Sequence, residues 1–225
     1  MLPTVLDIYQ AKQRLAPHLQ PTPLLHSHWL SAIAGGSAFL KLECLNLTSS
    51  FKIRGALNAA LRLTEQNAAG AAPTLVTASA GNHGRALALA AERLGLECVV
   101  FTPASAPEAK KNAIRRHGAV LHGECADYDA AEQQAKEHAA TVGAVYVSPY
   151  NHRDVIAGAG TIGLEVVEAL PSFDVIVIPL GGGGLASGMG LAIRAAAPHV
   201  TIVGVEVEAS SPFTLSLEAG RITEI

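Results

Sequence analysis

The sequence predicts an α/β protein built on mainly parallel sheets flanked by helices. Three observations carry this expectation: apolar, β-branched runs recur along the chain, helical patterns alternate with them, and several runs are apolar at almost every position. Strands of that kind are covered by helices on both faces, whereas a sheet with one wet face alternates apolar and polar residues.

The elements follow in chain order. Ala-Phe-Leu-Lys-Leu-Glu at 38–43 is the first expected strand and leads to a helix over 53–66. Thr-Leu-Val-Thr-Ala at 74–78 precedes a helix over 84–94, and Glu-Cys-Val-Val-Phe-Thr at 97–102 precedes one over 107–117. A strand at 119–122 feeds a helix over 127–141, and one at 144–147 feeds a helix over 157–170. The most apolar run, 174–180, is followed by a glycine loop, a helix of small residues over 185–197 and a strand at 201–206. No residue from Val175 to Ile193 is charged, which approaches the length of a bilayer span. Pro179 and Gly181 to Gly184 would break such a helix near its centre, so strand, loop and helix account for the segment. Residues 68–72 and then 148–151 are the candidate crossings between two lobes.

Composition excludes several classes. With 49% hydrophobic and 16% charged residues in 225, the chain can bury a substantial core. A formal net charge of -3 with no basic block leaves no electrostatic footprint for nucleic acid or an anionic membrane, so small molecules are the expected partners. Three cysteines without a CxxC pair indicate neither a disulfide framework nor a cysteine zinc site, which fits a reducing cytoplasm. The first residues lack the basic flank, apolar run and cleavage site of a signal peptide.

Three segments carry chemistry. Ser50-Phe51-Lys52-Ile53-Arg54-Gly55-Ala56 joins a strand to a helix. A lysine there can act as a nucleophile only if desolvation or a cationic neighbour lowers its pKa; taken alone, Lys52 reads first as a solvated surface residue, and Phe51 can equally be core. Ser79-Ala80-Gly81-Asn82-His83-Gly84 again opens a helix, where free amides favour a carboxylate or phosphate, although a polar turn with Ser79 or Asn82 as cap is the plainer reading. His83 has neither a second histidine at zincin spacing nor an adjoining carboxylate, and no metal site is expected. Pro179-Leu180-Gly181-Gly182-Gly183-Gly184-Leu185 is poorly explained as a turn, because consecutive glycines are entropically costly; backbone amides in such a loop make a phosphate cradle. Gly158-Ala-Gly160-Thr-Ile-Gly163 matches the dinucleotide fingerprint, but a polar segment rather than an apolar strand precedes it, and the match is set aside.

Together these segments offer an amine nucleophile, an anion-binding helix start and a phosphate-sized cradle. With Pro21-Thr-Pro-Leu24, Glu43 to Ala56, Ser79 to Gly84, Asp154 to Glu165, Gly181 to Gly188 and Gly204-Val-Glu206 in this order, the sequence resembles the serine/threonine dehydratase family of fold-type II pyridoxal-phosphate enzymes, related to the tryptophan synthase β chain. The resemblance implies pyridoxal 5′-phosphate as cofactor, with Lys52 as the Schiff-base lysine that also moves the Cα proton and Phe51 beside the pyridine ring. It places Asn82 at the 3′-oxygen, the amides of Gly181, Gly182, Gly183, Gly184 and Leu185 around the phosphate, and Ser79, Gly81, Asn82 and His83 around the substrate carboxylate. The implied reaction is β-elimination of a hydroxy amino acid, threonine or serine by default and hydroxyaspartate in some members, to a 2-oxo acid and ammonia.

The same resemblance implies a two-lobed subunit, with 1–68 and 151–225 in a large lobe and 69–150 in a small mobile lobe, and a homodimer as the assembly. It also implies that the large lobe is incomplete at residue 225, so that these residues alone should be poorly soluble and poorly active. Cys44, Asn46 and Ser49 depart from the family's usual Asn, Gln and Gly at those three positions. Ala80 stands where the racemase branch has serine, which favours elimination over racemisation. Pro212 falls where metal-activated relatives place an acid beyond Glu206, so weak metal dependence is expected. A racemase, a non-catalytic family member and, more distantly, a dinucleotide-binding oxidoreductase are the alternatives.

Overall fold

A computed structural model of the chain describes residues 2–67, 70–79 and 81–223. Part of the expected 68–72 crossing, together with Ala80, therefore lies outside the described residues. The chain begins with α1 (Val5–Leu15), opened by a capping box in which Thr4 and Asp7 each accept the other's backbone N–H. Next come β1 (Leu24–His26), α2 (His28–Ala34) and β2 (Phe39–Lys41), with β1 and β2 paired antiparallel. Then α3 (Lys52–Gln66), β3 (Leu75–Ala78), α4 (Asn82–Leu94), β4 (Cys98–Pro103), α5 (Glu108–Arg115), β5 (Val120–Cys125), α6 (Tyr128–Val142) and β6 (Val145–Tyr146) alternate regularly. Finally α7 (Arg153–Ala169), β7 (Val175–Pro179), α8 (Gly184–Ala196), β8 (Thr201–Val205) and α9 (Pro212–Ala219) complete the described chain.

The central sheet has the order β5-β4-β3-β6 and every pairing in it is parallel. Its two middle strands, β3 and β4, are buried at every position, as their nearly continuous apolar runs predict. Leu75 and Val100 face α3, α4 and α5, while Val76, Ala78, Val99 and Phe101 face the alanines 131, 135 and 139 of α6. A second parallel pair, β7-β8, packs Ile176, Ile178 and Ile202 against α7 and α8. The α/β architecture with parallel sheets flanked by helices is thus as expected.

Helix α7 is the structural axis. It begins at Arg153, four residues before the expected start, because His152 Nδ1 accepts the Asp154 N–H at 3.2 Å and caps a stretch too polar to read as helical. Its glycines serve contact rather than ligand binding: a Cβ on Gly158 would lie 2.5 Å from the Arg54 carbonyl oxygen, and one on Gly188 of α8 would lie 2.3 Å from that of Ile156. The dinucleotide-like glycines are therefore where α7 meets α3 and α8 at backbone distance. Among the described residues no helix is long and apolar enough to cross a membrane.

Candidate active site

Lys52 opens α3, and the residue before it, Phe51, provides no side-chain cap. A buried ion network fixes this helix start. Arg54, 2% exposed, holds Glu43 through Nε and Nη2, both at 2.8 Å, and Glu165 through Nη1 at 2.5 Å and Nη2 at 2.9 Å. Lys41 Nζ reaches Glu165 at 2.5 Å, and Thr22 Oγ1 donates to Glu43 at 2.5 Å. Burial alone would push the Glu43 carboxyl up, but the Arg54 guanidinium holds it below the usual carboxylate range. The network ties the segment before Lys52 to α3 and α7, and removing one partner from such a set typically costs about 3–5 kcal/mol.

The Lys52 side chain lies in this frame with no carboxylate partner among the described residues. Its Nζ donates to the Pro149 carbonyl at 2.7 Å and lies 5.1 Å from the centroid of the Phe51 ring. Burial lowers its pKa to about 8, so that much of the amine is neutral in mildly alkaline solution. Phe51 packs against the cluster that includes Leu185, Ala186 and Ile178, which sets the start of α3 beside the start of α8.

The glycine loop shapes that second helix start. Gly183 has φ +81°, a left-handed conformation natural to glycine, and a Cβ there would also lie 2.7 Å from the Phe213 ring. A Cβ on Gly182 would meet the Tyr150 ring at 2.7 Å, and one on Gly184 the Tyr150 carbonyl at 2.8 Å. No side chain caps α8, so its first amides remain available to an anion. The same holds for α4, whose N-cap is Gly81. Ser79 is buried and accepts the Gly81 N–H at 3.2 Å, and Asn82 is exposed at the first position of α4. His83 is fully enclosed: Nε2 lies 3.2 Å from the Val147 carbonyl, and burial, reinforced by the Lys52 charge, lowers its pKa to about 3. A group that resists protonation so strongly is a neutral hydrogen-bonding residue, not an acid at neutral pH.

The sequence-derived residues meet through Val147 to Tyr150, the end of an expected strand and the start of the expected 148–151 crossing. Val147 contacts His83, Pro149 holds Lys52, and Tyr150 covers Gly182 and Gly184. Thr77 Oγ1 also donates to the Val147 carbonyl at 2.8 Å, anchoring this strap to β3. Its only outward sign in the sequence is a Ser-Pro-Tyr-Asn turn after a short strand.

Pyridoxal phosphate suits the residues present. The loop at 182–184 leaves no room for a side chain and two helix starts are uncapped. Thr48 Oγ1, Ser50 Oγ and His83 Nδ1 are buried without a hydrogen-bond partner among the described residues. Residues 15–225 match the pyridoxal-phosphate dependent enzyme family. The chain belongs to that family. It is 40% identical over 222 residues to L-threonine ammonia-lyase of Thermotoga maritima, covering 99% of this chain and 55% of that protein. It is also 40% identical over 219 residues to serine racemase of Arabidopsis thaliana, covering 97% of this chain and 65% of that one. The solved threonine deaminase of T.th. superposes with a TM-score of 0.89 at 37% identity, over 99% of this chain and 71% of its own. The chain thus spans a little over half the length of the threonine ammonia-lyase it matches.

Glu206, considered above for metal, caps α9. Its carboxylate accepts the Phe213 N–H at 3.0 Å and the Thr214 N–H at 2.7 Å. Among the described residues no three histidine, cysteine or acidic side chains gather in one place.

Proposed function

We propose that this chain carries the lysine-bearing part of a cytoplasmic lyase that eliminates water from threonine or serine, yielding a 2-oxo acid and ammonia. The observation that carries the reading is Lys52: a half-buried amine of lowered pKa, hydrogen-bonded to a backbone carbonyl rather than a carboxylate, at a helix start beside the glycine loop. When bound, pyridoxal phosphate supplies an aldehyde for the substrate amine and a conjugated ring that takes up negative charge as the Cα proton leaves.

The chain's own residues supply the rest. The amides of Gly181, Gly182, Gly183, Gly184 and Leu185 hold the phosphate, Phe51 and Asn82 orient the ring, and Lys52 Nζ provides the attachment point. The same Nζ would take the substrate's Cα proton, and its pKa, lowered to about 8, brings it closer to the working pH of a general base. Ser79, Gly81, Asn82 and the neutral His83 receive the substrate carboxylate at the α4 start, where the helix dipole favours negative charge. In this reading 1–68 with 151–225 and 69–150 are the two lobes, the substrate enters between them, and the assembly is a homodimer.

The direct test is incubation with pyridoxal phosphate and L-threonine or L-serine, following 2-oxo acid and ammonia. A racemase would instead give the D-amino acid. Ala80 lies outside the described residues, but its side chain has no proton to deliver, so Ala80→Ser is expected to raise D-serine formation relative to elimination, by up to about 10²-fold if the added hydroxyl is well placed as a proton donor. Substantial D-serine from the unaltered protein would contradict the lyase reading.

A further inference from the structure

One cluster beside the site has no part in the reading above. On α6, the Glu132 side chain is 18% exposed and gathers donors from three directions. Tyr146 Oη donates to its Oε1 at 3.0 Å, Lys136 Nζ lies 3.2 Å from the same oxygen, and Tyr150 Oη faces both carboxylate oxygens at 3.4 and 3.5 Å. Burial first, and the Glu132 charge after it, raise the pKa of Tyr146 and Tyr150, so both phenols remain protonated donors. An open cavity runs along Glu132, Lys136, Tyr146, Ser148, Tyr150 and His152.

The reach of Tyr150 gives the cluster its meaning. Its ring lies on Gly182, its carbonyl lies against Gly184, and the preceding carbonyl, that of Pro149, accepts the Lys52 Nζ hydrogen bond. The strap's internal support is slight: within its turn the Asn151 N–H is held by Ser148 Oγ at 3.1 Å. A carboxylate on α6 therefore restrains the far end of a side chain whose near end touches both the glycine loop and the lysine's acceptor. Without that restraint the phenol regains its side-chain torsions, and the backbone beneath it loses an anchor outside the loop.

We propose that Tyr150 is a positioning residue of the cofactor site, held against the glycine loop by Glu132. This rests on the reading of Lys52 and 181–185 as that site. Losing one weakly made hydrogen bond corresponds to a change of about three- to tenfold in affinity. Pyridoxal phosphate titrated into the cofactor-free protein, followed by its absorbance, should bind about threefold more weakly in Tyr150→Phe and up to about tenfold more weakly in Glu132→Leu. The loss in the double variant should be smaller than the product of the two single losses, because the two changes share the Tyr150–Glu132 contact while Tyr150 also meets Tyr128, and Glu132→Gln, which keeps an acceptor oxygen, should recover most of the loss. Hydrogen exchange at 147–152 of the cofactor-free protein should quicken in Tyr150→Phe and Glu132→Leu while exchange in β3 and β4 stays unchanged.

Unchanged affinity in both single variants, or losses that multiply in the double variant, would overturn the proposal even though borohydride still attaches the cofactor to Lys52. A lower melting temperature with unchanged affinity would equally overturn it, by reducing the cluster to a structural role. Failure of borohydride to label Lys52 in the unaltered protein would instead remove the cofactor reading, and this proposal with it.

Discussion

At the scale of the residue, Lys52 is the group whose chemistry the fold has altered most usefully. Its pKa of about 8 in the folded protein lies below the ordinary 10.5, so between those values the unfolded chain binds the extra proton and stability rises with pH. The burial penalty is thus fully present below about pH 8 and fades as pH approaches 10.5. Cofactor-free Lys52→Met is expected to be more stable than the parent at neutral pH by roughly 1–3 kcal/mol, with the difference closing across that window. Urea unfolding at several pH values checks this; a constant difference would contradict it. The sequence marked Lys52, Asn82 and the glycine loop because their neighbours and spacing are local. It could not mark Tyr150 or Glu132, which acquire meaning only when α6 and the strap are brought against the loop. Ser49 is a middle case: its departure from the family's glycine is visible in the sequence, and the structure shows the consequence, a left-handed φ of 54°.

At the scale of the element, legibility followed burial and length. Strands β3 and β4, covered on both faces, appear as nearly continuous apolar runs, whereas β1 has three residues and offers no period to read, and β2, expected over 38–43, forms only at Phe39–Lys41. The Thr4–Asp7 signature of α1 is present in the sequence, yet a helix of 11 residues in which only Ile8, Ala11 and Leu15 are buried shows a narrow apolar stripe. The α7 glycines show the opposite case, a strong motif whose real cause is helix packing. Between β7 and α8 the glycine loop joins backbone conformation to function, and it supplies a prediction. Gly183→Ala forces a side chain into φ +81° against Phe213, which should cost about 1–2 kcal/mol and weaken cofactor binding by at least tenfold. Gly35→Ala is the control, since its φ of +67° has similar backbone strain but open space and no place near the site. Equal cofactor binding by both variants would show that the Gly183 loop does not hold the phosphate.

At the scale of the whole molecule, a parallel α/β frame places two uncapped helix starts and a half-buried amine around one strap. The same frame leaves the outer face of β7-β8 apolar, with Val175 52%, Val177 63% and Val205 50% exposed. An exposed strand surface of this kind associates, so the 225 residues alone should self-associate at micromolar concentration by light scattering, and Val177→Lys with Val205→Lys should reduce that association. Monodisperse behaviour of the unaltered chain would contradict this expectation. The central claim is that Lys52 carries pyridoxal phosphate. Borohydride reduction of the cofactor-loaded protein, followed by peptide mass mapping, should place one pyridoxyl group on Lys52 and none in Lys52→Ala. A label on Lys41, Lys110 or Lys111, or on no lysine, would contradict the account.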